Sequence, residues 1–436
     1  MGLWSNPQHI ASEEPERIVS YSPTDVKNTD AYAIQAEYAP GMTVTTSGSS
    51  KGDAMRTVMA DSVQGEGTEE EPYLIGTEED LKAYRDYVND GGPAAYARLT
   101  ADITVTDKNW EGIGTLRQPF FGEFDGNGKS VTLDVKRDLN LESYNRSLTK
   151  NVTGLFGFNC GTIRNLTVKG SVSGGQRVGA VAGVNGDYYP VGSRGYSGAR
   201  AYRGVIENCV NQAEVKGTGS VGGIVGMNVG GMDNHLYENR ADGLSQITGC
   251  RNEGIVGLAE SMSLDGGMIG GIAGYSAAGN ITDCQNTAEI SGERTVGGIV
   301  GRVGGDASPE ETYLRVIQNC ENTGNVKFTG EENFFESAGI GAIAGEIPDE
   351  YYPQEIKIEK IFVNCKYLMD AETNYKLPGV GNKEVKQYDG AITYTDNTTP
   401  EVPAEPEEFK NGAGTEEAPY LIENLNNFLY FAQNHE

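Results

Sequence analysis

Cysteine is the residue type whose chemistry and spacing first suggest a function for this chain. Four cysteines follow similar segments, with Cys209 after "VIEN", Cys250 after "QITG", Cys284 after "NITD" and Cys320 after "VIQN". A thiol that recurs in this way is compatible with a disulfide, a metal ligand, a nucleophile or a small apolar core residue. The chain has no C-x-x-C pair and only the histidines His9, His235 and His435, so the spacing of a zinc site is absent.

Two glycine-containing segments match patterns of cofactor binding or catalysis. "GTGSVG" (Gly217–Gly222) fits the dinucleotide pattern G-x-G-x-x-G, but the glycine-rich "GIVGMNVGG" follows where that pattern requires a helix. "GSSKG" (Gly48–Gly52) fits the nucleophile pattern G-x-S-x-G around Ser50, but it lies in low-complexity sequence. We interpret the first segment as a turn and the second as a linker, and we predict no catalytic residue.

The acidic side chains do not define a site. "DGNGKS" (Asp125–Ser130) begins like a calcium loop, but the later acidic ligands of that loop are missing, so we interpret it as a turn. The 62 acidic residues give a formal net charge of −28, and so many carboxylates form pairs by chance. This charge opposes binding to nucleic acid and to anionic lipid. We predict no metal, no cofactor, no nucleic-acid partner and no membrane insertion, and we expect a monomer.

An internal repeat supplies the elements that must position these residues. The last glycine of each "GGIVG"-like element lies at Gly157, Gly183, Gly226, Gly274, Gly301 and Gly345. The next such glycine follows the cysteine position by 17 residues in the copies of Leu166, Cys209 and Cys284. It follows Cys250 by 24 residues and Cys320 by 25, so these two copies carry an insertion within a constant frame.

The side chains keep the same register from copy to copy. The cysteine position is occupied by Leu166, Cys209, Cys250, Cys284 and Cys320. Six residues later the chain has Val172, Val215, Val256, Ile290 and Val326. Two residues after the cysteine it has Asn211, Asn252, Asn286 and Asn322, with Val168 in the first copy. We interpret these three sets as ladders, each stacking one residue type on itself.

Short, β-branched and glycine-rich segments favour strands over helices. The repeat therefore predicts an all-β chain that forms a right-handed parallel β-helix, a solenoid whose coils stack about 4.8 Å apart. Six coils are expected from Gly154 to about Asp370. The cysteine ladder then lies inside as small apolar residues, although a disulfide between neighbouring coils stays open because the coils are close. Cys160 falls outside this ladder and is expected in a turn or wall.

The rest of the chain divides around these repeats. We expect an unassigned segment and linker over 1–64, a capping helix with the first irregular coils over 65–153, and repeats with a C-terminal coil over 154–394. A Pro- and Glu-rich linker follows over 395–411, and 412–436 begin a second, truncated module, since "GEGTEEEPYLI" recurs there as "GAGTEEAPYLI". Thr77 and Asp80 predict the start of the capping helix, which would cover the open end of the solenoid.

Long insertions all enter the repeat between the motif glycine and the next core Ile or Phe. On a solenoid they must emerge along one face, where binding surfaces are commonly built. The first insertion combines aromatic and arginine side chains, which are typical contact residues. Its candidate binding residues are Tyr188, Tyr189, Arg194, Tyr196, Arg200, Tyr202 and Arg203. The alternative is an arginine-rich loop that pairs with neighbouring acidic loops.

Several segments together resemble bacterial GLUG-repeat proteins over roughly Gly65 to Asp370. They are "GTEEEPYLI", "LTADITV", "WEGIGT", "FFGEFDGNGKSVTLDV", "GLFGFNCGTIRNLTVKGSV" and the "GGIVG" or "GGIAG" copies. The resemblance implies a secreted or cell-surface β-helix that is one module of a longer chain. GLUG repeats also occur outside the catalytic region of the immunoglobulin A protease family of zinc peptidases, whose H-E-x-x-H motif this chain lacks.

Two functional hypotheses follow from the sequence. The first is a non-catalytic, extracellular or cell-surface stalk that displays loops for adhesion to a host protein or glycan. The alternative is a carbohydrate-active β-helix resembling polysaccharide lyases, glycosidases or phage tailspikes, or an accessory region of a larger surface peptidase. The first hypothesis predicts binding of oligosaccharides or proteins without turnover, whereas a carbohydrate-active module would release cleavage products.

Overall fold

The computed structural model describes residues 59, 63–137, 152–186, 203–229, 244–259, 267–277, 279–304, 316–330, 339–347, 361–370, 373–374, 376–381 and 390–396. Over these ranges the chain forms one helix and a series of short strands that pair into four sheets. We name them A to D by their strands in the first full coil, Val152–Thr153 in A, Phe156–Asn159 in B, Thr162–Arg164 in C and Thr167–Ser173 in D. Each full coil visits sheets A, B, C and D in that order. The strands of each sheet pair in parallel with the coil before and the coil after.

The N-terminal end contains the helix and the first, irregular coils. Its elements are β1 (Tyr73–Ile75), α1 (Glu78–Asn89), β2 (Tyr96–Leu99), β3 (Ile103–Thr104), β4 (Glu123–Asp125) and β5 (Ser130–Lys136). Strands β1, β2 and β4 begin sheet C, and β3 and β5 begin sheet D.

The following coils repeat one pattern of strands. The first two are β6 (Val152–Thr153), β7 (Phe156–Asn159), β8 (Thr162–Arg164) and β9 (Thr167–Ser173), then β10 (Arg177–Gly179), β11 (Ala182–Asn185), β12 (Val205–Glu207) and β13 (Val210–Gly217). The third is β14 (Ser220–Gly222), β15 (Val225–Asn228), β16 (Ser245–Thr248), β17 (Arg251–Asn252) and β18 (Val256–Leu258). The fourth is β19 (Met268–Gly270), β20 (Ala273–Ser276), β21 (Gly279–Thr282), β22 (Gln285–Asn286) and β23 (Ile290–Gly292).

The C-terminal coils continue the same order. The fifth is β24 (Thr295–Gly297), β25 (Val300–Val303), β26 (Ile317–Gln318), β27 (Glu321–Asn322) and β28 (Val326–Phe328). The sixth is β29 (Gly339–Gly341), β30 (Ala344–Glu346), β31 (Phe362–Val363) and β32 (Cys365–Met369), and β33 (Ile392–Asp396) adds to sheet D. This stacking of parallel sheets confirms the predicted parallel β-helix.

The core is built from in-register rows that run through the coils. One row in sheet C consists of Phe124, Ile163, Ile206, Ile247, Ile281, Ile317 and Phe362, paired strand by strand and at most 1% exposed. Because each rung packs against the same residue type above and below, one inward pattern specifies the register of every coil.

The last glycine of each motif is required because two backbones pack directly at this point. A Cβ on Gly226 would lie 2.6 Å from the backbone nitrogen of Val178, on the sheet A strand of the preceding coil. The same construction at Gly274 gives 2.3 Å to the nitrogen of Val221. Since no side chain fits between these backbones, glycine recurs for steric reasons at this position.

The capping helix forms where the sequence predicts it. Thr77 caps the helix by accepting a hydrogen bond from the Asp80 backbone at 3.1 Å, and Asp80 accepts one from the Thr77 backbone at 2.9 Å. Leu81 and Tyr84 are fully buried, and the Tyr84 ring lies 6.0 Å from the ring of Phe124 in the first core row. The helix thus covers the N-terminal end of the core.

Glu78 joins this helix to the first coil. Its carboxylate accepts hydrogen bonds from the Thr106 backbone at 2.7 Å and the Thr106 hydroxyl at 3.0 Å, and it lies 2.9 Å from the Lys82 ammonium. Burial pushes the pKa of Glu78 upward, but the hydrogen bonds from Lys82 and Thr106 outweigh it and lower the pKa from 4.5 to about 2.

We expect Glu78→Gln to lower the free energy of unfolding at pH 7 by roughly 1–2 kcal/mol. Because the folded pKa is depressed, the stabilisation is complete above about pH 4.5 and is lost as the pH falls toward 2. Urea unfolding of the two proteins should therefore differ at pH 7 and converge at low pH. Glu79→Gln, in the same helical turn but exposed, is the matched control. An equal effect of both changes would mean that helix charge, and not this contact, is responsible.

Candidate functional site

Four long insertions leave the solenoid at one corner, between sheet B and sheet C, whereas 138–151, 260–266 and 331–338 lie between a sheet D strand and a sheet A strand. Four times the chain passes through residues outside the described ranges after a sheet B strand and returns at a sheet C strand. These insertions are 187–202, 230–243, 305–315 and 348–360. In contrast, β20 and β21 are separated only by Ala277 and Ala278, so the same corner also closes without a long insertion.

A buried row of polar side chains lies beneath this corner. It consists of Asn159, Asn185, Asn228 and Ser276, each at most 1% exposed and each at the end of a sheet B strand. The Asn159 amide donates to the Asn185 side-chain oxygen at 2.7 Å, and the Asn185 amide donates to Asn228 at 3.0 Å. Buried amides that bond one another from coil to coil fix the corner without leaving unpaired polar atoms.

The candidate contact residues of the first insertion are only partly placed. Tyr188, Tyr189, Arg194, Tyr196, Arg200 and Tyr202 lie outside the described residues. Arg203 is described and exposed, one residue before Gly204 at the returning stem. Whether these side chains form one binding surface stays a prediction.

The predicted cysteine ladder falls in one buried row. Leu166, Cys209, Cys250, Cys284 and Cys320 are at most 1% exposed, and all six cysteines of the chain are free thiols. Each of these four sulfurs lies between 3.1 and 3.5 Å from the carbonyl oxygen two residues earlier. The equivalent contacts show that the thiols adopt equivalent positions, as a core row requires. Cys160 lies apart, buried in the turn after β7.

These surroundings disfavour thiolate chemistry. Burial raises the pKa of the Cys209 and Cys284 thiols, and the hydrogen bond with Cys320 together with burial raises the pKa of Cys365. At Cys250 and Cys320 burial acts in the same direction, but hydrogen bonds from the neighbouring thiols outweigh it and lower the pKa. A nucleophilic or metal-binding cysteine needs a thiolate that a substrate or metal can reach, and these sulfurs belong to residues at most 1% exposed. Within the described ranges, no group of three or more His, Cys, Asp or Glu side chains could hold a metal ion.

We predict that few thiols of the native protein react with a thiol reagent, although all six cysteines are reduced. Titration with a thiol reagent should find almost none of them in buffer and all of them in denaturant. Glu214→Cys, at an exposed position of β13, should add one fast-reacting thiol and so control for reagent access. Bridged pairs in non-reducing peptide maps would contradict this account.

The other two predicted ladders also lie inside the solenoid. Val172, Val215, Val256, Ile290 and Val326 pair in register through sheet D, at most 5% exposed. In the asparagine row Asn211 donates to Asn252 at 2.7 Å, Asn252 to Asn286 at 2.7 Å and Asn286 to Asn322 at 2.8 Å. All four asparagines are fully buried, so the row is structural and not exposed to a ligand.

Three further features of the site carried a signal in the sequence but were not predicted. The residue before each inward position of the cysteine row has φ between 50° and 63°, and the positions are Asn165, Asn208, Gly249, Asp283, Asn319 and Asn364. Asn, Asp and Gly are the residues that tolerate this conformation, so the recurring "NC", "GC" and "DC" pairs indicated the corner between sheets C and D. The same signal extends the ladder to Cys365, which is fully buried. The residues of the buried polar row are the last residues of the recurring segments "GFN", "GVN", "GMN" and "GYS".

The motifs set aside on sequence grounds form ordinary strands and turns. Strand β14 and then β15 follow Gly217, so no helix opens after "GTGSVG". Asp125 accepts a hydrogen bond from the Asn127 backbone at 2.8 Å within the turn of "DGNGKS". Ser50 lies outside the described residues. Within the described part of the chain, no helix is long and apolar enough to span a membrane.

Comparison with known proteins gives a motif and a fold. Residues 265–291 match the GLUG motif, which here spans β19 to β22 and the first residues of β23. The chain is similar to a solved structure from Bacteroides ovatus described as a "putative immunoglobulin A1 protease", with a TM-score of 0.50 and 21% identity over 76% of this chain and 85% of that chain. The resemblance to GLUG-repeat proteins is thereby confirmed, and the structural likeness shows the fold.

Two curated relatives are much longer than this chain. "Halomucin" from Haloquadratum walsbyi is 27% identical over 297 residues, which is 62% of this chain and 3% of that protein. A "Putative Gly-rich membrane protein" from Evansella cellulosilytica is 34% identical over 133 residues, or 28% of this chain and 14% of that protein. The chain therefore spans only a small share of the length of these relatives.

Proposed function

We propose that this β-helix is a non-catalytic module of a secreted or cell-surface protein, a rigid stalk that displays loops for adhesion to a host protein or glycan. The observation that carries the proposal is the shared corner between sheets B and C, where four long insertions leave the coils. A solenoid stacks these exit points along one side, so segments of different sequence begin and end at the same corner.

The coils keep their pairing on both sides of the insertions, which supports a scaffold role. Strands β12 and β16 each follow a long insertion, yet Ile206 and Ile247 pair in exact register, and Ile247 pairs with Ile281 after the compact corner. Insertion length thus leaves the core row unchanged. Loops that vary on a constant scaffold are the usual arrangement of binding surfaces.

The location is supported by the relatives. One of them is named "Putative Gly-rich membrane protein", and the structural neighbour is described as a "putative immunoglobulin A1 protease". The net charge of −28 suits an exposed, highly solvated surface. A second candidate role, as an accessory region of a larger surface peptidase, is favoured by the same neighbour.

The carbohydrate-active alternative requires a different electrostatic arrangement. A glycosidase needs one carboxylic acid with a raised pKa to protonate the leaving group. Hydrogen bonds lower the pKa of Glu78, Asp102 and Asp134. Ser130 holds the pKa of Asp102 down, and Ser171 does so for Asp134. These three carboxylates are therefore unsuited to the role of general acid.

An array of oligosaccharides and extracellular host proteins tests the proposal. The protein should bind at least one class of probe, and mass spectrometry of the bound oligosaccharides should find them uncleaved. Cleavage products would support the carbohydrate-active alternative. Absence of binding to every glycan and protein probe would contradict the adhesive role.

A further inference from the structure

We call the described residues on each side of an insertion its stems. The stems of two consecutive insertions are hydrogen-bonded to each other. Insertion 187–202 leaves after Gly186 and returns before Gly204, and insertion 230–243 leaves after Val229 and returns before Ser245. The Ser245 hydroxyl accepts a hydrogen bond from the Gly204 backbone at 3.0 Å and donates one to the Val229 carbonyl. One fully buried hydroxyl therefore joins the returning stem of the first insertion to both stems of the second.

Asn185 ties the same stems from the departing side. Its amide donates to the Gly204 carbonyl at 3.1 Å, and this bond joins the departing and returning stems of the first insertion. It also lies 3.0 Å from the Asn228 side-chain oxygen and 3.3 Å from the Gln246 carbonyl, both in the next coil. Since Asn185 and Asn228 are fully buried, these bonds do not compete with water.

The backbone at the stems is packed as tightly as in the core. Gly186 has φ of 98°, and a Cβ there would lie 1.7 Å from the Val229 carbonyl oxygen. A Cβ on Gly204 would lie 2.2 Å from the Asn185 side-chain oxygen. Beside these stems, Val184, Met227 and Val229 belong to a small apolar cluster that is separate from the main core. Neither stem can move without displacing the other.

The third insertion is held differently. Insertion 305–315 leaves after Gly304, and Val303 occupies the position of Ser276 in the preceding coil. The polar row therefore ends at Ser276, and Gly304 is joined to it only through the backbone, at 3.0 Å. Its returning stem is held by another side chain, since the Val316 backbone donates to the Asn280 side-chain oxygen at 3.0 Å. Among the described residues, side chains that join the stems of two insertions to each other occur at the first two.

We infer that Asn185 and Ser245 are positioning residues of the corner between sheets B and C, which join the stems of insertions 187–202 and 230–243 into one base. This inference rests on the proposed function, in which the corner displays the insertions for binding. The coupling itself is a property of the stems, and it can be measured without a ligand.

Amide hydrogen exchange of Ser245→Ala tests the coupling. Exchange should accelerate about tenfold or more at the Gly204 amide, which loses its acceptor. It should also accelerate at the Val229 amide, which donates to the Asn185 carbonyl, because the Val229 carbonyl loses the hydrogen bond from the hydroxyl. The amide of Arg251, which donates to the Cys209 carbonyl in sheet D, should keep its rate. Ser276→Ala, one coil further in the same polar row, is the matched control and should leave both stems protected. Equal acceleration at Arg251, or no acceleration at Gly204, would overturn the inference.

A second variant keeps the test independent of Ser245. Replacing 187–202 by the three residues "AAG" should accelerate exchange at Val229 and leave Gly304, at the third insertion, unchanged. A change at Gly304 equal to that at Val229, or no change at either, would also overturn the coupling. Coupled stems in a protein that binds no array probe would contradict only the proposed function, whereas uncoupled stems in a protein that binds would contradict only this inference.

Discussion

Val215→Asp should abolish the cooperative fold of the solenoid. Val215 is fully buried in sheet D and pairs in register with Val172 on one side and Val256 on the other. The substitution removes about 1.5–3 kcal/mol of apolar burial. It also places a carboxylate where no described cation is in contact, which costs several kcal/mol more. The total approaches the stability of a typical domain, about 5–15 kcal/mol.

Circular dichroism and urea unfolding would measure this effect. We expect the parent to unfold cooperatively and the variant to have lost most of its β-sheet signal at 25 °C. Glu214→Asp introduces the same residue one position earlier, where the side chain is 47% exposed, and should unfold like the parent. Cooperative unfolding of the valine variant at the parent's urea midpoint would show that the assigned register is wrong.

Gly226→Ala should destabilise the protein by about 3 kcal/mol, the upper part of the range for overpacking. The added methyl group would lie 2.6 Å from the Val178 nitrogen and 2.7 Å from the Gly183 carbonyl oxygen. Both are backbone atoms of strands held in sheets on two sides, so they cannot rotate away as a side chain would. The whole coil must shift to admit one carbon atom.

Gly257→Ala is the matched control for this substitution. A Cβ at Gly257 would meet the Ser291 hydroxyl at 3.0 Å, and a hydroxyl can turn aside. We expect its urea midpoint to stay close to that of the parent, whereas the midpoint of the Gly226 variant falls clearly. Similar midpoints for the two variants would mean that the motif glycine serves chain flexibility and not close backbone contact.

The fold was predictable because a solenoid repeats its constraints. One inward pattern recurs in every coil, so the Val215 and Cys209 rows could be located from spacing alone. The capping helix was equally accessible, since Thr77 and Asp80 form the expected reciprocal bonds. These features depend on residues near in sequence or on a regular period, and both are visible without coordinates.

Other features depend on how the coils meet, and the sequence pattern alone did not specify them. Gly226 was located by the spacing of the motif, but the sheet A backbone that passes 2.6 Å from its missing Cβ is identified only in the structure. Asn185 and Ser245 are 60 positions apart, and their shared contacts appear only when insertions of different length are brought to one corner. Non-periodic segments such as 187–202 give no register from which contacts can be inferred.

The central claim is that the insertions serve binding while the solenoid folds without them. The most direct test is one variant, with 187–202 replaced by the three residues "AAG", in which thermal melting and binding to the array are measured together. The compact corner between Ser276 and Gly279 shows that so short a connection closes a coil, and shortening a loop changes its closure entropy only slowly. We predict cooperative melting close to the parent temperature together with reduced binding. An unfolded variant, or a folded variant that binds as well as the parent, would contradict the claim.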